Sequence, residues 1–390
     1  MVMQQYQMNW NYPTAVRVGV GRIGELAAAC KELGMSAPLI VTDPGLVGLP
    51  MVPAALNQCR EAGLKADVFS SIKGNPTGQN VMDGVLIYRV GHHDGVVAFG
   101  GGSALDAAKA IALMAGQDRP LWDFEDIGDN YQRVRVEGMA PVIAVPTTAG
   151  TGSEVGRASV ITDEEAKVKR IIFHARMLPA LVILDPQLTV GLPPGMTAAT
   201  GMDALSHNLE AYCSPVFHPM AEGIALEGMR LVKEYLPRAT AEGTDLEARL
   251  KMLVASSMGA TAFQRGLGAM HALAHPLGAL YDAHHGTLNA ILMPYVLQAN
   301  REAIGPQMER LSRYLGLPKQ GFDGVLDWVL ELREELGIPR NLAEIGIDDA
   351  RVAQVGRMAV EDATAGTNPL AFDAEQYSAI FTRALTGKLQ

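Results

Sequence analysis

The chain has 390 residues, of which 48% are hydrophobic and 19% charged, and its formal net charge is −10. This length favours two domains, and the composition is typical of a well-buried globular protein and argues against a disordered one. The acidic balance, without a long run of Lys or Arg, argues against a nucleic-acid partner and against binding to an anionic membrane surface.

The cysteines and the first residues bear on the cellular compartment. The three cysteines (Cys30, Cys59 and Cys213) are widely spaced and form neither a disulfide framework nor a CxxC pair. The opening residues, MVMQQYQMNW, have neither the basic nor the apolar segment of a secretory signal. No apolar run approaches the roughly 20 residues that span a bilayer. We therefore expect a cytoplasmic protein with no membrane partner.

The first half of the chain alternates β-rich runs with helical stretches of about ten residues. The predicted strands are 14–18, 39–42, 67–69, 96–99, 142–145 and 181–184. The predicted helices are 24–33, 52–62, 81–90 and 103–114. Buried strands that alternate with helices predict βα units and a parallel sheet.

The pattern becomes helical after Asp185-Pro186. Predicted helices include 198–212, 221–235, 246–260 and 322–336. The intervening segment PQLTVGLPPG is rich in Pro and Gly, as domain junctions often are. We therefore predict an α/β nucleotide-binding domain over residues 1–188 and an all-helical domain over residues 189–390, with a ligand cleft between them.

Histidines and a carboxylate recur at helical spacing in the second half. In G-M-D-A-L-S-H-N-L-E, Asp203 and His207 are four residues apart and share one face of a helix. The stretch M-H-A-L-A-H-P-L-G repeats the spacing with His271 and His275, and the following D-A-H-H-G contains His285. An isolated Asp–His pair is usually a surface pair, and a lone buried histidine is usually a core residue. Two such pairs in apolar segments are as consistent with a metal site as with these structural roles. Carboxylate and imidazole donors suit Fe(II), Zn(II), Co(II) or Ni(II).

Two glycine-containing loops follow predicted strands. The first, V-A-F-G-G-G-S-A-L-D, leads from a strand into an alanine-rich helix. Glycines let the backbone approach a phosphate, and the helix N-terminus offers unpaired N–H groups. The second, P-T-T-A-G-T-G-S-E, again places Gly, Ser and Thr after a strand. Both loops are consistent with phosphate binding or with tight strand-to-helix turns alone.

A formal G-x-G-x-x-G pattern also occurs at Gly19, Gly21 and Gly24. It resembles the dinucleotide fingerprint, but the pattern alone is a weak signal and the denser glycine loop competes with it. We interpret it as a turn that enters the first helix. Asp43 follows the next predicted strand, where a carboxylate would accept a ribose hydroxyl and repel a 2′-phosphate. It therefore favours NAD over NADP.

Two long motifs resemble the iron-containing (group III) alcohol dehydrogenases. They are I-L-D-P-Q-L-T-V-G-L-P-P-G-M-T-A-A-T-G-M-D-A-L-S-H-N-L-E and G-L-G-A-M-H-A-L-A-H-P-L-G-A-L-Y-D-A-H-H-G, and the resemblance covers nearly the whole chain. It implies an N-terminal α/β dinucleotide-binding domain and an all-helical C-terminal domain, in a dehydroquinate synthase-like arrangement. The implied reaction is metal-dependent hydride transfer between a primary alcohol or hydroxy acid, or its aldehyde, and NAD(H), in a homodimer.

The resemblance also assigns residues. The family's metal ligands, one Asp and three His, fall on Asp203, His207, His271 and His285, which would hold Fe²⁺ or Zn²⁺. His275 matches a catalytic non-ligand histidine near the nicotinamide, a candidate proton carrier. The residues that match cofactor-binding positions are Asp43, Asn75, Gly101, Gly102, Ser103, Thr147, Thr148, Ser153 and Lys169.

One segment departs from the family pattern. Many members carry an F-S-N-type run before G-L-G, whereas this chain has A-F-Q-R ending in Arg265. One interpretation is that Arg265 pairs with an anionic group of the substrate, such as the carboxylate of a hydroxy acid. The other is that Arg265 faces solvent or a neighbouring helix.

Other functions fit parts of the sequence. A metal-dependent hydrolase or lyase of the same fold would use a metal-bound water, and its glycine loops would hold a substrate phosphate. Dehydroquinate synthase-like and glycerol dehydrogenase-like enzymes share the two-domain plan but differ in their ligand sets. A catalytically idle binding protein is the third alternative. The H-x-x-x-H-P-L-G run followed by H-H-G favours the alcohol dehydrogenase interpretation.

Overall fold

Six strands in the first half of the chain form one parallel sheet. The computed structural model describes residue 12 and residues 14–389. The sheet strands are β1 Ala15–Val18, β2 Pro38–Val41, β3 Asp67–Phe69, β4 Gly95–Gly100, β5 Val142–Pro146 and β8 Leu181–Leu184. They lie in the order β1-β8-β5-β4-β2-β3. All six were predicted from the sequence, and their ends differ from the predicted ones by at most one residue.

The four central strands are buried along their whole length, which explains their continuous apolar sequences. A parallel sheet has both faces covered by its crossover helices, so its strands do not alternate between apolar and polar residues. The helices between the strands are α1 Leu26–Glu32, α2 Met51–Glu61, α3 Gly78–Val90 and α4 Gly102–Met114. The prediction of βα units is therefore confirmed.

A two-stranded antiparallel hairpin, β6 Ala158–Asp163 and β7 Val168–Phe173, was not predicted. Its turn, E-E-A-K, contains three charged residues and lacks the Asn-Gly or Gly-Gly dipeptide that identifies a tight hairpin. The hairpin matters for the site because it carries Lys169 on β7.

The second half of the chain is helical, as predicted. Its helices are α5 Pro194–Cys213, α6 Pro219–Ala241, α7 Leu246–Ala262, α8 Ala269–Tyr281, α9 His285–Ala299, α10 Arg301–Tyr314, α11 Gly321–Glu335, α12 Val352–Glu361 and α13 Ala374–Thr386. Helix α5 packs against α6, α7 and α9, and every residue from Thr197 to Cys213 is buried. Among the described residues, each helix is too short or too polar to span a lipid bilayer.

The chain divides into two compact units. The α/β unit comprises Tyr12–Thr148 and Gly152–Gly191. The helical unit includes Ala149–Thr151 and everything from Leu192 onward. Each unit has its own apolar core, formed around the sheet in the first and around α5, α6, α8 and α9 in the second.

Candidate metal centre and cofactor loops

Four side chains of the helical unit converge at one point. Asp203 and His207 come from α5, His271 comes from α8, and His285 is the first residue of α9. One donor atom from each residue lies within 4.8 Å of the others, and all but the half-buried His285 are buried. One carboxylate and three imidazoles are a ligand set that would hold a single divalent ion. The structure therefore brings together all four residues that the sequence predicted as ligands.

Helix geometry explains why these side chains meet. The i, i+4 spacing places Asp203 and His207 on the same face of α5, as predicted. Helix α8 ends at Tyr281, and the next residue, Asp282, has a left-handed conformation with φ of 52°. His284 then caps α9 by accepting a hydrogen bond from the Thr287 amide through Nδ1, at 3.3 Å. This tight junction places His285 at the start of the new helix.

Two of the imidazoles have their outer nitrogens held by oxygen acceptors. His207 Nδ1 lies 3.2 Å from the Gly150 carbonyl oxygen, and His271 Nδ1 lies 2.6 Å from Glu210 Oε2. A carbonyl or an ionised carboxylate only accepts hydrogen bonds, so each Nδ1 carries the proton. The Nε2 lone pair of each ring is then free for a metal ion.

Burial controls the charge of His207. Loss of hydration lowers the pKa of His207 to about 4, against a smaller opposing effect of Asp203. At neutral pH the ring is therefore uncharged, which is the state that binds a metal. Burial alone would lower the pKa of His271 too, but the hydrogen bond and negative charge of Glu210 outweigh it and raise that pKa.

The surroundings of Asn289 indicate that a cation suits this cluster. Asn289 is fully buried, and its Nδ2 lies 2.8 Å from Asp203 Oδ1, 3.2 Å from His271 Nε2 and 3.1 Å from His285 Nε2. A carboxylate oxygen and two ring nitrogens thus converge on one amide group that has two hydrogens to donate. The Oδ1 atom of Asn289 has no hydrogen-bond partner among the described residues. Converging lone pairs in a buried place are the arrangement that a divalent ion neutralises.

His275 lies beside this cluster on α8. Its ring stacks on that of His285, with centroids 5.6 Å apart and planes inclined by 13°. Its Nδ1 lies 2.8 Å from Asp362 Oδ2. Burial alone would raise the pKa of Asp362, but the adjacent His275 and bonds from Thr364 lower it to about 2. Asp362 is therefore ionised and orients the His275 ring.

The two glycine-containing loops leave adjacent strands of the α/β unit. Strand β4 ends at Gly100, which has φ of 152°, and the Thr147 amide after β5 donates to the Gly100 carbonyl oxygen at 3.0 Å. A Cβ on Gly100 would lie 2.8 Å from the Ala104 Cβ, so only glycine fits. Helix α4 follows with Gly101 as its N-cap, which has no side chain to satisfy the first N–H groups. Backbone N–H groups at the start of a helix bind phosphates in many nucleotide sites.

Further predicted cofactor residues lie around the same end of the sheet. Ser103 donates its hydroxyl hydrogen to the Gly74 carbonyl oxygen, and Lys169 Nζ donates to Asn75 Oδ1 at 3.0 Å. Asp43 Oδ1 accepts hydrogen bonds from the Gly45 and Leu46 amides at 2.9 and 3.1 Å. The residues the structure brings to this region are Asp43, Asn75, Gly101, Gly102, Ser103, Thr147, Thr148 and Lys169.

Ser153 differs from the other predicted cofactor residues. It is 8% exposed, and its hydroxyl donates to Asp106 Oδ1 on α4. Asp106 Oδ2 also accepts from the Val160 amide at 2.9 Å, and Lys109 Nζ lies 3.3 Å from Oδ1. The Ser153 side chain therefore connects its loop to α4 and the hairpin.

The G-x-G-x-x-G pattern forms the expected turn. It follows β1, an edge strand of the sheet, and leads through a 3-10 helix at Arg22–Glu25 into α1. The Ile23 amide in this turn donates to Asp185 Oδ2 at 3.0 Å. The glycine loop after β4 thus remains the better candidate for phosphate binding.

Arg265 is turned into the helical unit, which corrects the hypothesis that it pairs with a substrate anion. It is 8% exposed, with Nε 2.6 Å from the Val216 carbonyl oxygen and Nη1 3.0 Å from that of Tyr212. Nη1 also lies 3.5 Å from Glu222 Oε2. The guanidinium therefore binds carbonyl groups at the C-terminal end of α5 and a neighbouring helix, which was the second interpretation.

Replacing Arg265 with alanine is expected to destabilise the protein without changing its substrate preference. The change leaves the Tyr212 and Val216 carbonyls without their guanidinium donor, at a cost of about 2–4 kcal/mol in the free energy of unfolding, whereas Glu222 keeps its bond to Arg310. Denaturant unfolding measures this loss, and kcat/KM on 4-hydroxybutyrate and on butanol should fall by the same factor. A selective loss on the hydroxy acid would restore the first interpretation.

Sequence reasoning missed three polar residues of the metal centre. Glu210 lies three residues after His207, on the same face of α5, so helical spacing could have identified it. Asn289 lies four residues after His285 and could have been found in the same way. Asp362 is 87 residues from its partner His275, and no local pattern indicates that pairing.

Both halves of the chain match family profiles. Residues 13–186 match the profile described as iron-containing alcohol dehydrogenase, and residues 197–385 match that described as Fe-containing alcohol dehydrogenase family, C-terminal. The chain is 38% identical to a 4-hydroxybutyrate dehydrogenase of Cupriavidus necator over 385 residues, which cover 96% of this chain and 99% of the relative.

Solved structures with the same fold cover nearly the whole chain. A crystal structure of 1,3-propanediol oxidoreductase superimposes with a TM-score of 0.92 at 34% identity, covering 97% of this chain and all of that one. A sulfoacetaldehyde reductase from Bifidobacterium kashiwanohense, in complex with NAD⁺, has a TM-score of 0.87 at 29% identity and covers 97% and 99% of the two chains.

Proposed function

The chain belongs to the iron-containing alcohol dehydrogenase family, and on this premise we propose that it interconverts a short primary alcohol bearing a second polar group, such as a diol or a hydroxy acid, with its aldehyde. The enzyme is an NAD-dependent oxidoreductase of that family. The observation that carries the proposal is the buried convergence of one carboxylate and three imidazoles. The choice of substrate class draws on the 4-hydroxybutyrate and 1,3-propanediol relatives.

We assign the metal to Asp203, His207, His271 and His285, and NAD to the loops at the carboxyl ends of β2, β4 and β5. When bound, the ion supplies Lewis-acid polarisation of an alcohol oxygen and NAD supplies the hydride acceptor. The outer N–H groups of His207 and His271 are held by Gly150 and Glu210, so each ring directs its Nε2 atom to the metal site. His275, oriented by Asp362, moves the alcohol proton away from the site.

The mixed carboxylate and imidazole ligand set suits Fe²⁺ and Zn²⁺ alike. We propose Fe²⁺, with Zn²⁺ as the alternative, because both matching family profiles describe iron-containing alcohol dehydrogenases. Anaerobic reconstitution of the metal-free protein with each ion, followed by metal analysis and assay, distinguishes them. We expect the Fe²⁺ form to be the more active one.

We further propose a cytoplasmic homodimer in which residues 1–188 bind NAD and residues 189–390 bind the metal. The three cysteines are buried free thiols, which suits a reducing compartment. The two family profiles meet near the proposed domain boundary. Sedimentation equilibrium tests the dimer, and cell fractionation tests the compartment.

The activity is tested by following NADH absorbance with the metal-reconstituted enzyme. Short aldehydes, aldehyde acids and hydroxyaldehydes are compared, each with the metal-free protein as control. We expect metal-dependent NADH oxidation, fastest with a substrate that carries a second polar group. Metal-loaded enzyme that binds NADH but consumes it with none of these substrates would contradict the proposal. The relatives named above are dehydrogenases, oxidoreductases or reductases, so the hydrolase or lyase alternative has no support from them.

Replacing Asp43 with asparagine is expected to relax the preference for NADH over NADPH. The amide keeps an oxygen for the Gly45 and Leu46 amides but loses the charge that would repel a 2′-phosphate. The ratio of kcat/KM for the two cofactors should shift towards NADPH by about tenfold, or roughly 1.4 kcal/mol. An unchanged ratio would remove Asp43 from the ribose site.

A further inference from the structure

Glu210 is a buried carboxylate outside the predicted ligand set. It lies on α5 on the same face as Asp203 and His207, and it is 7% exposed. Its two oxygens accept three hydrogen bonds. Oε2 accepts from His271 Nδ1 at 2.6 Å and from the Gly268 amide at 2.9 Å, and Oε1 accepts from the Met270 amide at 2.7 Å. Every donor comes from the start of α8.

The bond to His271 determines which ring nitrogen is available to an ion. Because the carboxylate only accepts, the proton stays on Nδ1 and the Nε2 lone pair faces the cluster, 3.2 Å from the Asn289 amide nitrogen. A charged acceptor on the outer nitrogen also makes the inner nitrogen a stronger donor to a metal. Glu210 thus acts on His271 through both orientation and basicity.

Glu210 also helps to cap α8, but it shares that task with another side chain. Asn368 Oδ1 accepts from the Ala269 amide at 3.0 Å, between the two amides that Glu210 binds. A side chain at Gly268 would collide with both, since its Cβ would lie 2.8 Å from Asn368 Oδ1 and 3.0 Å from Glu210 Oε1. Asn368 bonds to Asn300 and not to His271. Variants of Glu210 and Asn368 therefore distinguish the capping of α8 from the orientation of the His271 ring.

We propose that Glu210 is a positioning residue for the metal centre, which holds His271 in its metal-binding tautomer and strengthens its bond to the ion. This inference rests on the proposed function to the extent that the four-residue cluster binds a divalent metal. Loss of such an outer carboxylate typically weakens metal binding 10–100-fold.

The test is the Kd of the full-length protein for Co²⁺ and Zn²⁺, measured by competition with a chelator in wild type, Glu210→Gln and Asn368→Ala. Glutamine matches glutamate in size but carries no charge. Its single side-chain oxygen replaces the two oxygens that accept from His271 and from the Gly268 and Met270 amides. Asn368→Ala is the matched control, since it removes a cap from the same helix end. The visible absorption of bound Co²⁺ reports the ligand geometry, and the thermal midpoint of the metal-free protein reports the loss of capping.

We expect Glu210→Gln to raise the Kd about 10–100-fold and to alter the Co²⁺ spectrum. Asn368→Ala should lower the metal-free thermal midpoint while changing the Kd less than about threefold, because His271 keeps its carboxylate. If Glu210→Gln does not fold, Glu210→Asp replaces it, since its shorter side chain retains the charge but cannot hold all three donors.

Two results overturn the inference while the proposed function stands. One is a wild-type Kd in the Glu210 variant despite a lowered thermal midpoint. The other is equal weakening by the Glu210 and Asn368 variants, which would reduce Glu210 to a helix cap. Absence of Co²⁺ and Zn²⁺ binding by the wild type would instead overturn the proposed metal centre, and the inference with it.

Discussion

Replacing His271 with alanine is expected to leave the protein without its metal ion and to lower kcat/KM at least about a thousandfold, or roughly 4 kcal/mol in the activation free energy. His271 is 1% exposed and contributes one of the four donors that converge within 4.8 Å. Its loss leaves three donors and a buried gap beside Glu210. Metal analysis of the purified variant gives the primary result, and steady-state NADH oxidation gives the second.

The matched control for this change is His275→Ala. It removes the same side chain from the same helix, one turn later, but from a residue outside the converging donor set. The control should retain about one ion per chain. Wild-type metal content in His271→Ala, or equal metal loss in both variants, would contradict the ligand assignment.

Replacing His275 with alanine is expected to keep the metal, to lower kcat about 10²–10⁴-fold, and to change the pH dependence of turnover. The expectation follows from the position of His275, whose ring stacks on His285 while Nδ1 is bonded to the ionised Asp362. An imidazole held by a carboxylate suits proton transfer, since its second nitrogen is then free to accept a proton. The measurement is kcat across a pH series with metal-saturated enzyme.

Asp362→Asn tests the same mechanism without removing the ring. The amide still bonds to His275 but carries no charge to stabilise a protonated imidazole. Turnover should fall less than in His275→Ala, by about tenfold or more, and its pH dependence should also move. A pH profile identical to that of the wild type in both variants would exclude His275 from proton transfer.

Local periodicity explains why much of the fold was predictable. The parallel strands read as continuous apolar runs because both of their faces are buried, and all six appeared within one residue of the predicted ends. The β6–β7 hairpin was missed because its charged turn carries no tight-turn dipeptide. At Arg265 the sequence context left two interpretations open, and the side chain binds carbonyls within the helical unit, as the second of them predicted.

The ligand types, their i, i+4 spacing and the glycine loop after β4 follow from the amino-acid sequence alone, because helix and strand periods relate neighbouring residues directly. The groups that orient those residues become apparent only from the packing of the folded chain. Glu210 reaches His271 across 61 residues and Asp362 reaches His275 across 87. Such pairings depend on how separate helices pack, and the side-chain chemistry alone allows many partners for a buried carboxylate or imidazole.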